Sequence, residues 1–394
     1  MSVRKVAVLL AILLALFAPR AQAAPPGGDE LQEKMDSEIE RLLQGLDVSA
    51  LQGELDRLGV QPEAFASVKN LVGQLATGQF RFMGADILQF AADSLNQPLK
   101  NAAVLFAELV LLLVVSGLLS QLMTSFSSEG AAKIANLTVY AAAALLVFHA
   151  LRDAIALAQN AINSLLNVSQ AAFPVLSVLL TATGGMASSA VLTPAYAFAV
   201  ESAAWMTREL LIPAAVFGSV LAIAGNMTGK SLLGDFGSLM RNGSVWIAGA
   251  VMTVFVAISS IQSSAAVSYD GISFRAAKYA IDSMIPYVGG MFSDLADTFV
   301  GCSLLVRNAV GLAALLSLLL VLAPPLFTVL SSWLAFRLAG AAASALESKQ
   351  LSAVFQESAK VLVLLCVVML MAFAMLFILT TITINAGNSI LAMR

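Results

Sequence analysis

Residues Val361–Ile384 read VLVLLCVVMLMAFAMLFILTTITI, a run without a charged side chain. One helical crossing of a bilayer takes about 20 consecutive apolar residues, so this run predicts a membrane-spanning helix. The whole chain shares its character, because 59% of its 394 residues are hydrophobic and only 11% are charged. Soluble domains carry about 25% charged residues. The sequence therefore predicts an all-α, polytopic membrane protein with about 6–8 spanning or re-entrant helices.

Other apolar runs lie upstream of this one. Residues 102–123, 134–151 and 245–267 are each long enough for one crossing and predict three clean spans. Residues 153–170 alternate between an apolar and an amide-rich face at helical spacing. That pattern favours a helix lying in the membrane interface over a further span.

Two apolar stretches leave alternatives open. Residues 171–225 contain Gly184-Gly185 and three prolines, which is compatible with broken, re-entrant helices beside a cavity or with three imperfect spans. Residues 303–338 are divided by Pro324-Pro325 and predict either one long kinked helix or a span followed by a half-span. The exact number of spans and the side of the C-terminus therefore stay open.

Two polar stretches separate these runs. Residues 226–243 and 337–360 carry more basic than acidic side chains and predict loops. Because short cytoplasmic loops are enriched in Lys and Arg, both are expected on the cytoplasmic side.

Residues 1–23 have the three parts of a secretory signal peptide. Arg4 and Lys5 supply the positive start, residues 6–18 the short apolar run, and Ala21-Gln22-Ala23 the cleavage site. Cleavage there would leave the mature N-terminus outside the cytoplasm.

The remainder divides into two predicted regions. Residues 24–100 form an acidic, extracytoplasmic region of amphipathic helices, including helices at 50–58 and 62–76. This region is either a small solvated domain or a docking surface for a partner. Residues 101–394 form the polytopic transmembrane domain.

One polar insert interrupts that domain. Residues 267–312 read VSYDGISFRAAKYAIDSMIPYVGGMFSDLADTFVGCSLLVRNAVGL. The pattern predicts a turn at Asp270-Gly271 and a hairpin at 267–300 whose two helices flank residues 286–290. Polar side chains near lipid need water, a pore or a partner. The hairpin is therefore an interfacial element with solvated charges, or a pore mouth or docking face.

A catalytic site is the least supported interpretation of this hairpin. Asp294 and Asp297 stand three residues apart and have the spacing of a paired-carboxylate site, but nothing else supports one. The chain has one histidine, His149, and two cysteines, and it lacks the GxSxG and HExxH motifs. The sequence predicts no enzyme activity, no catalytic residue, no cofactor and no metal site, and the net charge of −3 argues against nucleic acid as a partner.

The insert and the C-terminal ITINAGNSILAMR closely resemble the stage III sporulation protein AE family of endospore-forming bacteria. The resemblance covers most of the chain from about residue 80 onward. It implies a multi-pass protein of the mother-cell membrane around the forespore. It also implies a place in a channel or export-like apparatus that supports forespore development after engulfment.

The partners that this resemblance implies are the other stage III sporulation A proteins, the lipid bilayer and, through the complex, stage II sporulation protein Q. It does not say what is transported, whether this chain lines a pore, or whether it associates with itself. The candidate assembly or pore residues are Asp270, Gly271, Arg275, Lys278, Asp282, Pro286, Gly289, Asp294, Asp297, Gly301 and Asn308.

A stand-alone secondary transporter or permease is the alternative function. Such a protein needs charged side chains at mid-depth in the membrane and repeated halves. Glu201, Arg208 and Glu209 are the best candidates for the charges. No convincing inverted repeat accompanies them.

Overall fold

The structure is a computed structural model that describes residues 29–58, 67–78, 84–124, 129–228, 231–284, 289–346 and 348–392. The regular elements in these residues are all helical, which confirms the all-α prediction. The predicted signal peptide, residues 1–23, lies outside the described residues. In chain order the helices are α1 (Asp29–Gly45), α2 (Ser49–Leu58), α3 (Val68–Ala76), α4 (Gly84–Thr124), α5 (Glu129–Ala182), α6 (Met186–Trp205), α7 (Ile212–Thr228), α8 (Ser231–Met284), α9 (Gly289–Ala345) and α10 (Lys349–Ala392), with a π-helical turn at Met206–Leu211.

Within the described residues, 6 helical segments are long and apolar enough to cross a membrane. This number lies within the predicted range and confirms a polytopic architecture. The segments are Ala92–Leu119, Thr138–Ala182, Met186–Gly225, Gly234–Ile261, Thr298–Ala345 and Lys349–Ala386.

The hairpin of α9 and α10 is the centre of the bundle. In the most apolar part of α10, 72% of the residues are buried, and in that of α9 61%, against 17% in α4 and in α8. The most extensive helix–helix contact joins α9 to α10, and α4, α5, α7 and α8 pack around this pair. The outer helices therefore present apolar side chains outward, as helices facing lipid do.

The N-terminal helices pack onto this bundle. Ile39 of α1, Leu51 and Leu55 of α2, and Leu71 of α3 are buried in the same apolar core as the spanning helices. Their contacts are with α5 and α9. The amphipathic pattern of residues 24–100 thus gives each short helix a buried face and a polar face.

Gly184 and Gly185 end α5, as the sequence predicts. Gly184 has φ 90°, a left-handed conformation that favours glycine. The Gly185 amide donates to the Leu180 carbonyl and the Gly184 amide to the Thr181 carbonyl. These are the paired hydrogen bonds of a Schellman turn, so α5 stops here.

Residues 186–225 form one continuous helical segment rather than broken helices. Between α6 and α7 the helix widens into the π-helical turn, where the Ile212 amide donates to the Thr207 carbonyl. Pro213 explains the insertion, because proline has no amide hydrogen and its ring clashes with the carbonyl four residues earlier. A single π turn accommodates the lost hydrogen bond without ending the helix.

The prediction of a loop at residues 226–243 is wrong. Apart from residues 229–230, which lie outside the described residues, this stretch belongs to α7 and α8. One of its glycines, Gly237, serves helix packing instead: a Cβ on Gly237 would lie 2.6 Å from the Gly218 carbonyl oxygen and 2.6 Å from the Ala222 amide nitrogen. Small residues at a crossing let two helix backbones approach closely.

The loop predicted at residues 337–360 is also wrong. Helix α9 runs on to Ala345 and α10 begins at Lys349, because the alanine-rich end of α9 favours a helix. The Ser352 hydroxyl donates to the Gly340 carbonyl at 3.0 Å and ties the two helices together beside the short connection.

Three further expectations concern helix continuity. Residues 153–170 are part of α5, not a separate interfacial helix, and most of their apolar side chains are buried in the bundle. The predicted turn at Asp270-Gly271 is wrong, because α8 continues to Met284. A glycine costs a helix only about 1 kcal/mol, which the helical pattern on both sides outweighs. Of the two alternatives for residues 303–338, the single long helix is observed, with Pro324-Pro325 inside α9.

Candidate functional site

The predicted hairpin at residues 267–300 consists of the adjoining ends of α8 and α9. It is therefore not a pair of short separate helices, although the predicted helical segments on both sides of residues 286–290 are confirmed. Residues 285–288, including Pro286, lie outside the described residues. The side chains of residues 262–297 lie outside them as well, so the structure gives only the backbone of Asp270, Gly271, Arg275, Lys278, Asp282, Gly289, Asp294 and Asp297.

The two remaining predicted residues, Gly301 and Asn308, lie on the fully described part of α9. Gly301 is half-buried, and a Cβ built on it would have no neighbour within 4 Å. The side-chain oxygen Oδ1 of Asn308 is buried and has no hydrogen-bond partner among the described residues. Asn308 therefore belongs to a polar site inside the bundle, whereas Gly301 stands beside open space.

Arg307 is the centre of this polar site. It is 0% exposed and is one of the largest fully buried side chains of the described structure. Its Nη2 donates to the Thr383 carbonyl oxygen of α10. Its Nε and Nη1 have no hydrogen-bond partner among the described residues, nor has the buried hydroxyl of Ser303 one turn earlier. Three neighbouring polar side chains of α9 thus retain unused hydrogen-bonding capacity.

Close packing of α9 and α10 brings Arg307 to the backbone of its neighbour. Gly311, one turn beyond Arg307, has no side chain, and the side chain of Ile384 fills the space that a Cβ would take. Because Ile384 follows Thr383 directly, the same close approach places the Thr383 carbonyl within reach of the guanidinium. Because Gly311 lies one helical turn from Arg307, the close approach of α10 at Gly311 brings the Thr383 carbonyl to the Arg307 guanidinium.

A second set of hydroxyls lies next to the Arg307 site. Tyr196 of α6 donates to the Ser169 carbonyl of α5 at 2.9 Å, and its ring stacks on Phe173 with centroids 3.9 Å apart. The hydroxyls of Ser169 and Thr380 are further neighbours of the Tyr196 hydroxyl. These hydroxyls form a buried polar network of α5, α6 and α10, and Thr380 stands one turn before Thr383, the residue that Arg307 contacts.

Stability does not explain the Arg307 site. A buried donor or acceptor left without a partner costs about 1–3 kcal/mol. Charged side chains inside membrane segments are costly, and by default they indicate a functional site. Arg307 forms no ion pair with a described residue. The site offers several donors and few acceptors, which suits a carboxylate, another anionic group or ordered water.

Sequence reasoning missed Arg307 as a site residue although it noted the charge. The available signal was a lone basic residue near the start of a long apolar run. The other charged candidates, Glu201, Arg208 and Glu209, are exposed on the bundle, and Arg208 donates to Asn163. In the described parts of the chain, His, Cys, Asp and Glu form no group of three or more that could hold a metal ion.

Comparisons with known proteins agree with the resemblance noted in the sequence. The family model described as stage III sporulation protein AE matches residues 66–387. The stage III sporulation protein AE of Bacillus subtilis (strain 168) is 26% identical over 399 residues, covering 98% of this chain and 98% of the relative. No solved structure matches the chain.

Proposed function

Because the chain belongs to the stage III sporulation protein AE family, we propose that it is a membrane component of the stage III sporulation A complex. In this proposal it lies in the mother-cell membrane around the forespore. With stage II sporulation protein Q, the complex forms a channel or export-like apparatus that sustains forespore development after engulfment. The observation that carries the proposal is the family match, which contains all six membrane-crossing segments and the Arg307 site.

The proposed role is assembly and conduction, not catalysis. The α9 part of the hairpin and the Arg307 site are neighbouring parts of α9, toward its N-terminal end. If the N-terminus of the chain is extracytoplasmic, the N-terminal end of α9 also lies outside the cytoplasm. In the proposed location, that is the space between the mother-cell membrane and the forespore membrane. There the charged hairpin would dock on a partner or frame a pore mouth, and Arg307, Asn308 and Ser303 would extend that polar surface into the membrane.

The stand-alone transporter remains the second proposal. Its best charged candidates lie on the exposed face of the bundle, whereas transported solutes are bound in its interior. Among the described residues, Arg307 is the one buried charged side chain, and it favours the transporter. Solute uptake by liposomes that contain only the purified chain would decide for the transporter.

The decisive experiment is deletion of the gene in its spore-forming host, followed by complementation. We expect the deletion to arrest forespore development after engulfment and to leave vegetative growth intact. We expect the wild-type chain to restore spores and to co-purify with other stage III sporulation A proteins. Normal sporulation of the deletion strain would overturn the proposal.

A second experiment separates assembly from catalysis. The double variant Asp294→Ala with Asp297→Ala removes two of the four carboxylates of the hairpin. We expect it to reach the membrane but to lose co-purification with the complex. The matched control, Asp153→Ala with Asp235→Ala, removes two exposed carboxylates elsewhere and should keep it. Retained assembly with lost turnover of a substrate would favour an intramembrane enzyme instead.

A further inference from the structure

A cavity of about 590 Å³ opens between α8, α9 and α10, near the short connection of α9 to α10. We name it the basic pocket, because Arg241, Arg337 and Lys360 are the charged residues of its lining and none of the lining residues is acidic. It lies along α9 far from the Arg307 site and takes no part in the buried polar network. Its chemistry therefore requires a separate explanation.

The three basic side chains differ in how far they are already compensated. Glu357 is not part of the lining. Its Oε2 lies 2.5 Å from Nη1 of Arg241 and its Oε1 lies 2.5 Å from Nζ of Lys360. Arg337 is exposed and forms no ion pair with any residue that the structure describes. One carboxylate is thus shared by two of three cations, and the pocket keeps a net positive charge. Such a lining attracts an anionic group.

The other wall of the pocket is apolar. It is formed by Val245 of α8 and by Val363, Leu364 and Val367 of α10, the last three lying just after Lys360. After Lys360, residues 361–379 carry no charged, hydroxyl or amide side chain. The pocket therefore lies at the boundary between the polar end of the bundle and its apolar belt, where phospholipid headgroups meet acyl chains.

The flanking side chains show what lies outside the pocket. Trp246 is 81% exposed beside it, and Leu334 and Leu338 of α9 are exposed as well. Tryptophan is enriched at the membrane–water interface, and exposed leucines on a spanning helix face lipid. The mouth of the pocket thus opens toward the bilayer.

We propose that the basic pocket binds the headgroup of an anionic phospholipid, with an acyl chain lying along its valine and leucine wall. Arg337 and Lys360 would contact the phosphate, while the pair of Arg241 with Glu357 holds α8 against α10. Basic pockets between spanning helices bind anionic headgroups in this way. By the positive-inside rule, the basic residues place this end on the cytoplasmic side, where anionic lipids are abundant. The proposal does not depend on the proposed role in sporulation.

The test uses the purified full-length chain in a neutral detergent. Phosphatidylglycerol, phosphatidylcholine with the same acyl chains, or inorganic phosphate is added. Bound lipid is counted by native mass spectrometry and Tm is measured. We expect phosphatidylglycerol to be retained and to raise Tm more than the other two. An equal effect of phosphatidylcholine, or of inorganic phosphate alone, would overturn the lipid site in favour of unspecific lipid binding or a free-anion site.

Variants locate the binding. Arg337→Gln and Lys360→Gln should each weaken phosphatidylglycerol binding about fivefold and together about 25-fold, because each basic side chain near a membrane contributes about 1 kcal/mol. Neither side chain is buried, so both variants are expected to fold, which an unchanged far-UV spectrum checks. Lys349→Gln is the matched control, since Lys349 is a basic residue of the same end but lines a different cavity. Equal weakening by Lys349→Gln would mean that general surface charge, not this pocket, binds the lipid.

Discussion

Basic side chains lie near both ends of the α9–α10 pair, and they differ in burial and in pairing. In the basic pocket, Arg241 and Lys360 share a carboxylate and Arg337 is exposed. At the other end, Arg307 is fully buried and donates to one carbonyl oxygen. Arg307 and Arg337 lie on the same helix about 45 Å apart at 1.5 Å per residue, roughly the full thickness of a bilayer with its headgroup regions. The two sites therefore lie toward opposite ends of the bundle.

The comparison separates charged side chains that cost the folded state little free energy from one that destabilises it. A charge that is paired, or that reaches water, costs little to hold in the folded state. A buried charge with unused donors is destabilising, and replacing it by an apolar residue of similar size is often neutral or stabilising. The basic pocket is thus consistent with structural pairing plus ligand binding. Arg307 is not explained by stability, which is why we assign it a function.

The largest expected effect is the loss of function in Arg307→Met. Methionine is apolar and similar in length, so the free energy of unfolding should stay unchanged or rise by up to about 4 kcal/mol. Complementation of the deletion strain should nevertheless fail. Spore counts and the Tm of the purified variant measure the two effects.

Two further variants control this prediction. Arg307→Lys keeps the positive charge and should retain part of the activity. Arg152→Met makes the same replacement at an exposed position of α5 and should sporulate normally. A lower Tm for Arg307→Met, together with lost sporulation, would instead assign Arg307 a structural role.

The second effect is a loss of stability in Arg241→Met, the same replacement in the basic pocket. Arg241 and Glu357 have side-chain exposures of 13% and 15%, so removing one leaves the other largely desolvated. We expect a loss of about 3 kcal/mol, the lower end of the range for a broken buried pair, because Lys360 remains beside Glu357. The Tm of the purified variant measures it.

A double-mutant cycle isolates the pair. Arg241→Met combined with Glu357→Leu removes both charges and should recover most of the lost stability. If the loss of unfolding free energy in the double variant equals the sum of the losses in the two single variants, the attraction between the two charges contributes nothing.

The third effect concerns the helix crossing that positions Arg241. In Gly237→Ala the new methyl group would meet the backbone of α7, which cannot move aside as a side chain can. Overpacking of this kind costs about 1–3 kcal/mol. Gly234→Ala lies one turn earlier with nothing within 4 Å of the new Cβ, so it should be neutral or slightly stabilising. Thermal unfolding of the two variants compares them, and equal Tm values would contradict the crossing.

The successes of the sequence-based prediction follow from local chemistry. Val361–Ile384 carries no charged side chain and lies within the segment Lys349–Ala386, which is long and apolar enough to span a membrane. Gly184-Gly185 ends a helix because φ is positive at Gly184. Two of its errors concern glycines inside a helix. Gly237 and Gly271 both looked like loop residues, yet both lie within α8. Nothing in the local sequence tells a glycine that breaks a helix from one that admits a neighbour.

The functional site shows the same limit. Asn308 was predicted because it continues the polar face of the hairpin, and it does lie in the buried polar site. Arg307, its neighbour, was not among the predicted site residues. Its importance depends on burial against Thr383, 76 residues later in the chain. Burial of that kind is set by tertiary packing and is not visible in the local pattern.

The smallest expected effect is at Asp47, an exposed carboxylate that belongs to neither site. Asp47 accepts hydrogen bonds from the Ser49 hydroxyl at 2.5 Å and the Ser49 amide at 3.0 Å, at the start of α2. These bonds favour the charged form and lower the pKa of Asp47 below its ordinary value. Its contribution to stability is therefore present above the ordinary pKa of an aspartate, about 3.9, and is lost as the pH falls through the lowered value.

Asp47→Asn should remove this pH-dependent contribution and change stability less than any variant above, because the group is exposed to water. The measurement is Tm from pH 7 to pH 3 for the wild-type chain and the variant. The two curves should differ at pH 7 and converge in the acid. Asp93→Asn, at an exposed position of α4 outside any helix cap, is the control and should run parallel to the wild type. If the Asp47→Asn and wild-type curves stay parallel down to pH 3, the hydrogen bonds from Ser49 contribute nothing to the pH dependence of stability.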